Sequence, residues 1–184
     1  FMSFAFFNRH QFANEVGQLA QDQAPDTLTT PSPGDGAVIT TPTPDYALTH
    51  VADRLFIEKA GVNMPLLTGT DEKILNKGGW IFPHTATPDT AGNTVIFGHR
   101  FKYLPPITNT FFYLDRVTVG DRLSLIWKGV TYRYTVTETK IIDPTDLSIL
   151  ASSKKRILTL ITCTPLFSTA QRLVVIAELT SEER

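Results

Sequence analysis

The stretch that decides the fold runs from Arg122 to Val136 and reads Arg-Leu-Ser-Leu-Ile-Trp-Lys-Gly-Val-Thr-Tyr-Arg-Tyr-Thr-Val. Apolar and polar residues largely alternate in both halves, which is the two-residue period of a half-buried strand. Lys128-Gly129 separates the halves and supplies the glycine that a tight hairpin turn favours. The stretch therefore predicts a β-hairpin.

Short apolar runs rich in β-branched residues predict further strands on both sides of this hairpin. They are Arg54–Ile57, Met64–Leu67, Thr94–Phe97, Arg156–Thr162 and Arg172–Ala177. Asp143 and Pro144 suit a helix entrance, so a short helical turn is predicted over residues 144–151. Seven or eight short strands with so little helix predict an all-β domain, a closed or nearly closed β-barrel with short helices.

Composition narrows the functional classes. Hydrophobic residues make up 42% of the 184 residues, which is enough for a core and excludes wholesale disorder. Seventeen basic residues against eighteen acidic ones give a net charge of −1, which argues against a nucleic-acid partner. A single cysteine excludes an intrachain disulfide and a cysteine-cluster metal site. No carboxylates have ligand spacing, so no metal or cofactor is expected, and calcium modulation through residues 143–155 stays open.

The N-terminal part of the chain differs in composition from the barrel region. Residues 1–23 predict a helix, and the apolar opening Phe1–Phe7 is either the remnant of a membrane anchor or part of a packing amphipathic helix, since a span needs about 20 residues. Residues 24–49 hold five of the twelve prolines and seven threonines, which predicts an extended spacer or a strap on the surface. Residues 50–184 form the predicted barrel domain.

Cys163 ends a predicted strand directly before Thr164-Pro165. A lone cysteine is often a small buried hydrophobe of the core. At the end of a strand, beside a loop, a thiol can instead be a nucleophile when a cation or a base lies near it. Both interpretations remain open from the residue alone.

His99 and Arg172 are the groups that could activate such a thiol. His99 also ends an apolar strand. Arg172 opens the strand that follows the loop of residues 164–171, directly after Cys163. If residues 158–163 and 172–177 are neighbouring strands, the Cys163 and Arg172 side chains meet at one end of the barrel. The alternatives are a structural or solvated histidine and an ordinary strand-end arginine.

Residues 52–180 resemble the sortases, the cysteine transpeptidases of bacterial cell surfaces. Thr159–Cys163 matches the family's TLxTC motif, and the order His, Cys, Arg matches as well. Two further segments carry the resemblance, Asn93–Arg100 and Gln171–Val175. The resemblance implies an eight-stranded barrel, leaves the first 50 residues unexplained, and leans towards class D or E on the loop of residues 165–172.

The resemblance also implies a two-step reaction. Cys163 attacks the Thr–Gly bond of an LPxTG-like sorting signal and forms a thioester, Arg172 stabilises the oxyanion, and His99 moves the protons. Thr162, Ile161 and Gly98 are expected to contact the substrate or support these three residues. The expected partners are proteins that carry such a signal and an amine acceptor, either a peptidoglycan precursor or a pilin lysine.

The expected location is the bacterial cell membrane, with an N-terminal anchor and an extracellular catalytic domain. Asp45-Tyr46 contains residue types of the lid found in pilin-polymerising sortases, though in a different order, so residues 24–49 are either a lid or a spacer. Two rival functions stay open. One is a cysteine peptidase with water as the acceptor, and the other is a non-catalytic β-barrel interaction module.

Overall fold

The computed structural model describes residues 52–104 and 106–184 of the chain. The predictions for residues 1–23 and 24–49, including the lid residues Asp45 and Tyr46, lie outside the described residues. Eight strands are present in the described part: β1 (Arg54–Ile57), β2 (Val62–Leu67), β3 (Gly79–Ile81), β4 (Gly92–Phe97), β5 (Arg122–Trp127), β6 (Val130–Ile142), β7 (Arg156–Thr164) and β8 (Gln171–Glu183). Its helices are short 3₁₀ segments at Glu58–Ala60, Glu72–Asn76, Leu114–Arg116 and Ser148–Leu150.

The eight strands close into a barrel in the order β1-β2-β3-β4-β7-β8-β6-β5. This confirms the all-β, closed eight-stranded architecture. Two of the pairings are parallel, β2 with β3 and β4 with β7, and the other six are antiparallel. Because β4 and β7 are parallel, both strands end at the same end of the barrel.

The predicted β-hairpin is present as β5 and β6. Trp127 pairs with Val130 at the turn, and Arg122 pairs with Thr135 at the far end. Lys128 and Gly129 have φ values of 51° and 79°, the left-handed conformation that two-residue hairpin turns of type I′ demand. The turn residues therefore set the register of the hairpin.

Alternate residues of the strands fill the barrel with an apolar core. In β7, Leu158 and Leu160 are fully buried members of this core, and in β8, Leu173 and Val175 belong to it. Because successive side chains of a strand point to opposite faces, the residues between these positions face away from the core. This alternation decides which face of the barrel carries the chemistry.

Two details differ from the sequence-based expectation. The strand β3 was not predicted, because its three residues are all buried and show no alternation. The helical turn expected over residues 144–151 is confined to Ser148–Leu150. Asp143 and Asp146 instead accept hydrogen bonds from the backbone N–H two residues ahead, and such local turns compete with helix formation.

Within residues 52–104 and 106–184, no helix has the length and apolar character that a membrane crossing requires.

Candidate functional site

Two parallel strands bring His99 and Cys163 to the same end of the barrel. Phe97, the last residue of β4, pairs with Ile161 of β7. The Gly98 N–H donates to the Ile161 carbonyl at 3.1 Å, so the two chains continue side by side beyond this pair. His99 therefore emerges beside the part of β7 that carries Cys163.

The antiparallel neighbour on the other side of β7 supplies Arg172. Cys163 and Arg172 are register partners between β7 and β8, and directly opposed residues present their side chains on the same face. Cys163 is 6% exposed and Arg172 is 8% exposed. Cys163 is three positions from the core residue Leu160, and Arg172 is one position from the core residue Leu173. Because an odd offset along a strand puts two side chains on opposite faces, Cys163 and Arg172 both lie on the outward face of the barrel. The two strands are neighbours, as the expectation required, and their register sets Cys163 opposite Arg172.

The guanidinium of Arg172 is held by the loop between β7 and β8. Its Nη1 donates to the carbonyl of Thr169 at 2.8 Å and to that of Gln171 at 3.0 Å. Two charge-assisted hydrogen bonds orient the planar fork. The loop thereby positions the cation opposite the thiol.

His99 is half-buried and lies against Asn76 at the end of the Glu72–Asn76 segment. Its Nε2 is 3.2 Å from Asn76 Oδ1, and Lys102 Nζ donates to the same oxygen. The Tyr103 hydroxyl donates to the Asn76 carbonyl at 3.0 Å. Because an amide oxygen only accepts, Nε2 carries a proton in this arrangement, and Nδ1 is the basic nitrogen of a neutral ring.

Burial sets the protonation of both groups. Burial, and after it the charge of Lys102, lower the pKa of His99 to about 4. Burial raises the pKa of the Cys163 thiol, while Arg172 and Arg100 act in the opposite direction. At neutral pH the resting pair is therefore a thiol and a neutral imidazole, and a thiolate–imidazolium pair is a minor species.

The three supporting residues join β4 to β7. The Thr162 hydroxyl donates to the Gly98 carbonyl at 2.8 Å, and the fully buried Ile161 accepts the Gly98 N–H through its carbonyl. A β-carbon on Gly98 would lie 2.5 Å from Cδ2 of Phe111. Glycine at this position therefore lets the Phe111 ring pack directly beneath the segment that leads to His99.

Sequence reasoning missed two residues of this site. Asn76 stands in a polar stretch with no motif, and its contact with His99 arises only from the fold. Arg100 lies inside a motif segment, directly after His99, yet nothing in a single sequence distinguishes it from a solvated arginine. In the structure it is 5% exposed and bonded to the end of β7. Its position next to His99 was the one available signal.

In the described part of the chain, no three His, Cys, Asp or Glu side chains cluster closely enough to hold a metal ion. The expectation that no metal or cofactor is required stays a prediction, as does the alternative of calcium modulation at residues 143–155.

Comparison with known proteins gives a family for this fold. The sortase domain model matches residues 55–180. Sortase A of Listeria monocytogenes is 29% identical over 140 residues, which are 76% of this chain and 61% of the relative. Sortase D of Bacillus subtilis is 32% identical over 112 residues, which are 60% of this chain and 53% of the relative. The chain thus spans between half and two thirds of the length of these curated relatives.

A solved structure agrees with this result. Sortase C1 from Streptococcus agalactiae superposes with a TM-score of 0.64 at 30% identity, covering 72% of this chain and 68% of that one. The matched family model extends over most of the barrel, from β1 into β8, and includes the ends of β4 and β7 where the thiol and the imidazole lie. By its fold and by this match, the chain belongs to the sortase family.

Proposed function

We propose that the chain is a cysteine transpeptidase that cleaves a C-terminal LPxTG-like sorting signal between Thr and Gly and transfers the new carboxyl end to an amine. The observation that carries the proposal is the placement of Cys163 opposite Arg172 on the outward face of β7 and β8, with His99 on the parallel neighbour. Family membership supports the reaction class, since sortases are cysteine transpeptidases.

In the first step, the Cys163 proton passes to the basic nitrogen of His99, and the thiolate attacks the threonine carbonyl carbon. Arg172 donates hydrogen bonds to the oxyanion, which is the type of stabilisation that contributes most when donors are fixed in advance. The Thr–Gly bond then breaks, the glycine nitrogen takes the proton from the His99 imidazolium, and a thioester on Cys163 remains.

In the second step, an amine enters and loses a proton to His99 as its nitrogen attacks the thioester carbon. The carbon–sulfur bond breaks, and the Cys163 thiolate recovers its proton from His99. The fixed orientation of Arg172 by the Thr169 and Gln171 carbonyls supports its use in both tetrahedral intermediates. The proton balance is neutral over the whole cycle.

The partners follow from this chemistry. A sorting-signal protein is the donor, and a peptidoglycan precursor or a pilin lysine is the acceptor. Sortases act at the surface of Gram-positive bacteria, and we place this enzyme at the outer side of the cell membrane, held by an N-terminal anchor. We also propose that the enzyme belongs to class D or E.

Mass spectrometry of the protein with a library of LPxTG-like peptides tests the proposal. Without an amine, a thioester adduct on Cys163 is expected, and with an added amine the transpeptidation product should replace it. Cys163→Ala should give neither species while keeping the circular dichroism spectrum of the parent.

The same measurement separates the rival functions. Equal amounts of free-acid product with and without the amine would identify a peptidase that uses water. Unmodified protein with every peptide, together with a thiol that resists alkylation, would identify a non-catalytic module.

A further inference from the structure

Arg100 is a buried cation that the reaction described above does not use. Its side chain is 4% exposed, and arginine is almost never buried to this degree without partners. It directly follows His99 in the chain. Burying a charged guanidinium next to His99 is unfavourable unless its partners compensate, so the partners of Arg100 indicate its role.

The guanidinium of Arg100 connects three parts of the molecule. Its Nη1 donates to the Thr164 hydroxyl at 2.9 Å and lies 3.4 Å from the Cys163 carbonyl. Its Nε lies 3.4 Å from the Phe112 carbonyl, and its Nη2 pairs with Asp115 Oδ2 at 2.8 Å. The strand end that carries the thiol is thus attached, through one side chain, to the segment that carries His99.

We propose that Arg100 is a positioning residue for Cys163: it fixes the end of β7 through the Cys163 carbonyl and the Thr164 hydroxyl, and it places a second permanent positive charge beside the thiol. The proposal rests on the proposed role of Cys163 as the nucleophile. Arg100 acts through Cys163 and need not touch the substrate.

Geometry gives Arg100 a different task from that of Arg172. Arg172 stands on β8, and its Nη1 is bonded to the carbonyls of Thr169 and Gln171. Arg100 reaches β7 from the opposite side and bonds to the backbone of the nucleophile itself. Arg172 therefore lies opposite the thiol on the neighbouring strand, and Arg100 holds the backbone at the end of the strand that carries the thiol.

The charges around the thiol come from both strands that flank β7. Arg172 faces it from β8, and His99 and Arg100 follow β4. His99 is neutral at neutral pH because of its lowered pKa. Asp115 offsets part of the Arg100 charge, but its side chain is 56% exposed, so water screens the carboxylate more than it screens the buried guanidinium. The two arginines are the cations that oppose the effect of burial on Cys163.

The test uses the full chain and measures the pH dependence of Cys163 alkylation by iodoacetamide, which reports the thiol pKa directly. Arg100→Met removes the charge and keeps much of the side-chain volume. We expect the thiol pKa to rise by about 1 unit, the effect of losing one nearby cation. Arg156→Met is the matched control, because Arg156 also pairs with a carboxylate and a carbonyl but stands at the far end of β7. Its thiol pKa should equal that of the parent.

Transpeptidation by the same variants gives the second readout. Arg100→Met should lower kcat roughly tenfold or more with little change in KM, since misplacing a reacting group costs rate rather than affinity. Arg100→Lys keeps the charge but loses the planar fork, so it should keep a near-parental thiol pKa and still lose rate. A parental thiol pKa in Arg100→Met would overturn the proposal.

Thr164 keeps the test decisive if Arg100→Met does not fold. Thr164→Val removes the hydroxyl acceptor and leaves every charge in place, whereas Thr164→Ser retains the hydroxyl. We expect slower alkylation of the thiolate in Thr164→Val and recovery in Thr164→Ser, and equal rates in the two would overturn the proposal. Alkylation requires no substrate, so a failure of the proposed transpeptidation would be visible separately from a failure of the role of Arg100.

Discussion

Cys163 and Arg172 are direct partners across the antiparallel pair of β7 and β8, and the Arg172 guanidinium is bonded at the same time to the carbonyl of Thr169 in the connecting loop and to that of Gln171 at the start of β8. The thiol and the cation therefore keep one spacing that the strand register determines. The orientation of the cation depends on the loop. A substitution that keeps the charge but loses the fork should separate these two contributions.

Arg172→Lys is expected to be nearly as damaging as Arg172→Ala, with a loss of roughly 10²–10³ in transpeptidation rate for either variant. Lysine offers a point charge and cannot hold two carbonyls while donating in a plane to an oxyanion. Peptide turnover followed by chromatography measures the effect. Arg133→Lys is the control, because Arg133 is an exposed residue of β6 that pairs with Glu183, and its rate should match the parent. A lysine variant at position 172 with parental turnover would restrict Arg172 to an electrostatic role.

Gly98→Ala should destabilise the protein by about 1–3 kcal/mol, the usual cost of overpacking a filled site. The added β-carbon would lie 2.5 Å from the ring of Phe111, which is fully buried. Urea unfolding measures the change in the free energy of unfolding. The same substitution in a Phe111→Leu background should cost clearly less, because the ring that it meets is gone. Equal costs in both backgrounds would show that another contact is responsible.

The free energy of unfolding should fall as the pH drops from about 6.5 towards 4, with part of this loss due to His99. Its pKa is lowered to about 4 in the folded protein from 6.5, so the unfolded chain binds more protons in this window and acidification favours unfolding. Chemical denaturation at several pH values tests this. His99→Asn should show a shallower decline over the same range, since Asn does not titrate. Parallel curves for the two proteins would contradict the lowered pKa.

The lid alternative for residues 24–49 makes a prediction about thiol access. If Asp45 pairs with Arg172 and Tyr46 covers the thiol, then Asp45→Asn and Tyr46→Ala should speed the alkylation of Cys163 and raise peptide turnover. A spacer predicts no change in either rate for the soluble protein. Tyr103→Phe provides a comparison, since Tyr103 contacts Asn76 rather than the thiol.

The strands could be predicted because each long strand carries its own signal. The alternation in β5 and β6 and the Lys128-Gly129 turn depend only on neighbours in the chain. The strand β3 could not be predicted, since its partners β2 and β4 lie elsewhere in the sequence and only they make three buried residues a strand. Pairings between distant segments are the part of a fold that local pattern leaves undetermined.

The residues of the candidate site also divide into those that the sequence could predict and those that it could not. Cys163, His99 and Arg172 could be predicted because each stands at a strand end within a recognisable motif. Asn76 and Arg100 could not, since a polar residue shows its importance only through burial and partners. Arg100 is buried in the structure, but in the sequence it cannot be distinguished from a surface arginine. Asn76 is exposed, and only its contact with His99 identifies it as part of the site.

The parallel pairing of β4 and β7 has a consequence for the order in which the molecule becomes competent. The β5–β6 hairpin closes through a two-residue turn, an event of microseconds. The hydrogen bond between Thr162 and Gly98 joins the two halves of the site, and these residues are 64 positions apart in the chain. Bringing such distant segments together costs more conformational entropy and is slower than closing the hairpin. A partly folded copy can thus hold its hairpins while its thiol and imidazole are still far apart. The thiol and the imidazole are brought to one end of the barrel only by this long-range contact, so a chain that has formed its hairpins alone does not yet hold the candidate site.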